Sequence, residues 1–293
     1  MSSVWTGLAL ALVASVALNV GFLIQGAGSA EAPLLELSRP FRSLRALLGS
    51  RLWLGGILLS SAGWGLQIAA FALAPLSLVQ AFGSGGLALL VPLERRFLRR
   101  TVPPGEARAV LLIAVALVLL SIDLGSPGSQ REFDDVGLTA YLVALAAIAL
   151  PMTALGLRDH ARALGATAGL LYGASDVATK AVTGVARDGL DRVVWSAEGV
   201  VLLAVVLGTT AVGFLVFQRG LQADRPVPVI ALMAAGTNVV TIVGGVIVFG
   251  DPLGASPPVV ALHVIAFALV GVAGWLLAPL QDHSRRERTA EAA

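Results

Sequence analysis

The chain has 293 residues, of which 57% are hydrophobic and 13% charged, and a formal net charge of +2. Soluble domains carry about 25% charged residues, and half that share cannot cover a globule in water, so lipid must surround most of the perimeter. Cysteine is absent, which removes disulfides, thiolate metal sites and Cys nucleophiles, and the three histidines (His160, His263, His283) fit no metal-ligand spacing; no cofactor is expected.

A spanning helix needs roughly 20 mostly apolar residues. Nine such runs follow one another, 4–25, 52–73, 76–93, 107–124, 137–157, 164–184, 197–217, 227–249 and 258–279, in a chain whose overall mean hydropathy is +0.86. The first could be misread as a signal peptide, because Ala30-Glu31-Ala32 resembles a cleavage site. No basic residue precedes it, however, and it outruns an h-region. The loop 26–51 is basic and amphipathic enough to lie on the membrane surface; if it instead hides a poorly formed span, the count is ten. Ala74-Pro75, Pro103-Pro104 and Pro257-Pro258 mark breaks, because proline cannot continue a helix past its first turn. Residues 281–293 read as a short solvated tail. The expected fold is an all-α integral membrane protein.

Arginines set the orientation. Sixteen fall in one set of alternate loops and the tail, three (Arg131, Arg187, Arg192) in the opposite set, and Lys180, the single lysine, lies inside the sixth span. Basic loops stay in the cytoplasm, so the N-terminus is expected outside, the C-terminus inside, and the membrane to be a bacterial plasma membrane. The same asymmetry explains the basic isoelectric point without a nucleic-acid partner.

An offset of 151 residues lays spans two to four over spans seven to nine without gaps, placing Pro75 on Pro226 and Gly85 on Gly236. An offset of 155 places Gln25 on Lys180. The pattern predicts two inverted repeats, about 4–124 and 164–279, joined by a linking helix at 137–157 and together forming one transporter domain over 1–280. Inverted repeats characterise secondary transporters, whose substrate site lies near mid-membrane.

The sixth span carries the polar signal. Tyr172, Ser175, Asp176, Thr179, Lys180 and Thr183 share an arc of about 140° at 100° per residue, and lipid cannot satisfy such a face. Asp176 falls roughly 3 Å from the predicted midplane, with Lys180 about 9 Å from it. An Asp four residues before a Lys is the favourable order for an intrahelical pair. The pair is either a neutralised structural clasp or a site where substrate or proton competes with the internal partner; an intramembrane ionisable residue favours the second. Matching polar positions are Trp64 and Gln67 in span two, Gln80 in span three, Thr237 and Asn238 in span eight, and Asn19 and Gln25 in span one. Any of these uncharged residues can equally serve helix packing.

The stretch GWGLQIAAFALAPLSLVQAFGSGGLALLVPLERRFLRR (63–100) resembles the paired helices of the drug/metabolite transporter superfamily, and LLYGASDVATKAVTG (170–184) resembles its helix ending in a lysine. Nine spans with a long loop after the first look most like the NIPA-like branch, whereas the EamA-like branch usually shows ten. The resemblance implies transport of small solutes, and for the NIPA-like branch an association with magnesium. One departure is that Gly250-Asp251 fits the superfamily's Gly-Glu position in the second half, while Arg99-Arg100 stands there in the first.

The expected function is therefore a secondary transporter for a small organic solute, working by alternating access, and not an enzyme. A magnesium or other divalent-cation transporter is the alternative, opposed by the single deep carboxylate and the ammonium beside it. A non-transporting membrane scaffold is a third. The expected partners are a small-molecule substrate and the lipid bilayer, with the protein a monomer or homodimer.

Overall fold

The computed structural model describes residues 2–30, 32, 33, 35, 40–74, 76, 79, 96, 104–120, 122, 133–154, 161–223, 226–250 and 256–277. They form ten helices, and no strand occurs among them: α1 (Ser2–Ser29), α2 (Pro40–Leu47), α3 (Arg51–Leu73), α4 (Pro104–Leu120), α5 (Asp135–Ala154), α6 (Ala161–Arg187), α7 (Leu190–Trp195), α8 (Ala197–Ala223), α9 (Pro226–Phe249) and α10 (Pro257–Leu277). Five of these, α1, α3, α5, α8 and α9, are long and apolar enough to cross a membrane. Apart from Leu76 and Val79, the predicted third span lies outside the described residues, as does the 281–293 tail.

Proline sets several boundaries. α4, α9 and α10 each begin on a proline, whose missing N–H is unneeded at a helix start and whose φ is already helical. α3 begins with Ser50 as its cap, its hydroxyl accepting from the Trp53 N–H at 3.2 Å. It stops at Ala74, which the following proline holds extended at φ −139° and ψ 161°. Among the described residues the loop after α1 shows no tenth span. α1 runs on to Ser29, and α2, at eight residues, is about 12 Å long and too short to cross. α2 is amphipathic instead, burying Leu47 while Phe41 stays exposed.

Close packing fixes how the helices run. α1 lies antiparallel along α3, with Gly7 against Ala74, Gly21 against Gly56 and Ser60, and Gly28 against Trp53. α6 runs antiparallel to α8, Gly220 meeting Ala161 and Leu164 while Ser175 meets Val206. α6 runs parallel to α9 through Gly165, Gly169 and Gly173, spaced four apart so that all three lie on one face. Small residues at such spacing let helix backbones approach in a membrane, where lipid supplies no hydrophobic drive for association. α3 and α6 also run parallel, so α1 opposes α6 in direction and α3 opposes α8. α4 packs along α10, with His263 Nε2 within 3.2 Å of Ile122 O.

Surrounded by α3, α5, α8 and α9, α6 is the least apolar of the long helices and buries seventeen of its residues. A Cβ on Gly169 would stand 2.5 Å from Met233 O, whereas one on Gly65 of α3 would meet nothing within 4 Å. Gly169→Leu is therefore expected to cost about 1–3 kcal/mol by overpacking, and Gly65→Ala to be neutral or stabilising by up to about 1 kcal/mol. Thermal unfolding of the detergent-solubilised variants checks both.

Candidate functional site

A cavity of about 360 Å³ lies between α1, α3, α6, α8 and α9. Along α3 its wall runs from Trp53 to Gln67, about 21 Å at the helical rise. It reaches Ser15 on α1, Asp176 on α6, Thr210 on α8 and Asn238 on α9, each near the middle of its helix. Apolar and aromatic side chains, among them Phe22, Trp64, Tyr172 and Phe214, form much of the wall. Among the described lining residues Asp176 is the only charged one.

Asp176 is 5% exposed, and its Oδ2 accepts from Gln67 Nε2 at 3.3 Å. Beside it, Ser175 shares a hydrogen bond of 2.7 Å with Thr210. Across the cavity Asn238 Nδ2 donates to Ala234 O, leaving its buried Oδ1 with no hydrogen-bond partner. Thr237 Oγ1 donates to the Met233 and Gly169 carbonyls, and Asn19 Nδ2 to Ser15 O. No group of three or more His, Cys, Asp or Glu side chains converges among the described residues. The site therefore offers one carboxylate and a set of neutral oxygens, which suits a ligand that keeps its own hydration and does not suit a stripped metal ion.

At the Arg51 end of α3 the cavity is bounded by a buried relay of side-chain amides. Trp53 Nε1 donates to Gln218 Oε1 at 3.0 Å, Gln218 Nε2 donates to Gln25 Oε1, and Gln25 Nε2 donates to Ser60 Oγ at 2.7 Å. Both glutamines are essentially inaccessible to solvent. Gln222, one turn beyond Gln218, donates to Pro33 O and accepts from the Leu35 N–H. The relay ties α1 and α3 to α8.

At the other end the contacts are cationic. Lys180 Nζ donates to Phe71 O at 2.8 Å and to Ala74 O at 3.1 Å, and Arg187 donates to Ala72 O at 2.5 Å. These carbonyls are the orphan acceptors at the carboxy end of α3, where the helix dipole is negative and a cation is favourable.

Nine of the twelve sequence-predicted residues line the cavity: Asn19, Gln25, Trp64, Gln67, Tyr172, Ser175, Asp176, Thr237 and Asn238. Gln80 lies outside the described residues. Thr179 and Lys180 do not line the cavity, because α6's polar arc faces two things: its first half meets the cavity and its second half meets the end of α3. α8 enters the wall through Thr210 and Phe214, which sequence reasoning missed, as it missed Gln218. The apolar run of span seven stops at residue 217, so Gln218 fell one residue outside the predicted helix.

No known protein family's model matches the chain, and no solved structure matches it. Among characterised proteins it is similar to a protein of Arabidopsis thaliana described as "Probable magnesium transporter NIPA9". The two are 23% identical over 291 residues, which covers 93% of this chain and 79% of that protein.

Removing one member of the amide relay leaves the next buried and unsatisfied. Gln218→Leu is expected to lower stability by about 1–3 kcal/mol, read as a lower midpoint of thermal unfolding in detergent. Gln222→Leu, at a partly exposed site, is expected to lower it less.

Proposed function

We propose that the protein is a membrane transporter that carries a divalent cation, Mg²⁺, through the cavity at Asp176. The similarity to a protein named as a magnesium transporter supports the ion, and the lone carboxylate in an otherwise neutral cavity is the observation that carries the reading. Magnesium dehydrates reluctantly and is held through one or two carboxylates with several waters retained. Six waters at about 30 Å³ each occupy about 180 Å³, which fits within 360 Å³. Asp176 would hold the hydrated ion, and the Ser175, Thr210 and Asn238 oxygens would accept hydrogen bonds from its waters.

The sequence objection to a dication was the ammonium beside Asp176. Lys180 Nζ donates to the carbonyl end of α3 and does not line the cavity, which leaves room for a dication on Asp176 while the two charges still act on each other. Transport would proceed by alternating access, with α1 and α3 moving against α6, α8 and α9. The opposed directions of α1 and α6, and of α3 and α8, support two inverted halves, and the nine-span arrangement belongs to the same proposal.

A small organic solute is the second reading, favoured by the aromatic walls that Phe22, Trp64, Tyr172 and Phe214 give the cavity. Flux of Mg²⁺ into proteoliposomes holding a fluorescent indicator separates the two. The cation reading predicts uptake above protein-free vesicles that falls about tenfold or more in Asp176→Asn, since the carboxylate supplies the direct hold on the ion. Asn can still accept from Gln67, so the fold should persist. Uptake at the protein-free level by the unmodified protein would remove the cation reading and favour the organic solute.

A further inference from the structure

Among the described residues, polar contacts between α3 and α6 are ordered along the seam. Gln67 meets Asp176, then Phe71 O and Ala74 O meet Lys180, then Ala72 O meets Arg187. The cavity ends at the first of these, and the cationic contacts close what lies beyond it. Lys180 is 3% exposed, and its ammonium donates to two carbonyls at the carboxy end of α3, where helix ends leave acceptors in need of partners. Around it Ala70, Phe71, Val177 and Ala181 pack in one apolar cluster.

We propose that Lys180 is a charge-sensitive latch, holding α3 to α6 while the cavity is empty and releasing when a cation sits on Asp176. This rests on the cation reading of the cavity. Asp176 and Lys180 are four residues apart on one helix, hence neighbours on its surface at about 5–6 Å between Cβ atoms. An empty carboxylate stabilises the ammonium where it is. A dication on that carboxylate reverses the sign of the field at Lys180, in surroundings that screen charge far less than water does. The ammonium then gains by leaving α3's carbonyls, and the seam it held can part. Ligand and gate are coupled because the ligand interacts differently with the two states, which is the requirement for a shift in population.

The chain has no cysteine, so two can be introduced for spin labels: Leu73→Cys at the end of α3 and Asp188→Cys just beyond α6. The distance between the labels is measured by pulsed electron resonance in lipid. Without added metal a single short distance is expected. Saturating Mg²⁺ should add a longer one, shifting the ratio of the two populations by about tenfold. Lys180→Met should show the longer distance without metal, Lys180→Arg should keep the short one, and Asp176→Asn should ignore Mg²⁺. Elution of each variant as a single peak on size exclusion establishes that it is folded. A folded Lys180→Met that keeps the short distance would overturn the latch, whatever the ion does. A lengthened Lys180→Met beside an unmodified chain blind to Mg²⁺ would overturn cation triggering and, with it, the cation reading, while the lysine would still be what holds the seam.

Discussion

The interior of a bilayer offers no water, so each polar group placed there must find its partner within the protein. α6 is not among the five helices long and apolar enough to span by themselves, and on the proposed nine-span reading that constraint falls on it, because it carries an aspartate, a lysine and several hydroxyls through the middle of the bundle. The structure meets it by surrounding α6. α8 supplies Thr210 to Ser175, α3 supplies Gln67 to Asp176, and the end of α3 supplies its carbonyls to Lys180 and Arg187. The glycines at 165, 169 and 173 bring α9 close enough to complete the enclosure. Placed in lipid alone, the same helix would cost about 2.5–3.5 kcal/mol for each central charge.

Enclosure of this kind separates the two charges by function. Asp176 borders a cavity of about 360 Å³, where a carboxylate can meet a ligand; Lys180 donates to a helix terminus. The ends of the cavity are also unlike. One is bounded by the neutral amides of Gln25 and Gln218 and the Trp53 indole, which respond to a nearby cation less than the other end does, where full cations sit on carbonyls. Gln25 and Lys180, aligned by the sequence offset, both donate to backbone carbonyls of α3, at Gly56 and at Phe71 and Ala74. A cation reaching Asp176 therefore acts on one end of the cavity more than on the other.

Much of this was legible in the sequence because it depends on local rules. Proline marked the starts of α4 and α10, since its effect on a helix needs no tertiary information. The polar arc of span six predicted a face turned from lipid, and the cavity lies against that face at Tyr172, Ser175 and Asp176. What stayed hidden depends on partners remote in the chain. Nothing near Lys180 announces that its ammonium ends on carbonyls 106 and 109 residues earlier. Thr210 is one of two adjacent hydroxyls in an apolar run, and only its contact with Ser175 sets it apart. The hydrophobic run of α8 ends before Gln218, although the helix continues to Ala223, because its last turn is sheltered by protein and has no need to be apolar.

The central claim is that a hydrated cation occupies the cavity at Asp176. Mn²⁺, which shares magnesium's preference for oxygen ligands, scatters anomalously and can be located directly in crystals grown with it. The account predicts an anomalous peak inside the cavity, at the Asp176 carboxylate or one water away from it, that disappears in Asp176→Asn. A cavity without a peak in crystals whose Mn²⁺ sits only on surface carboxylates would contradict it.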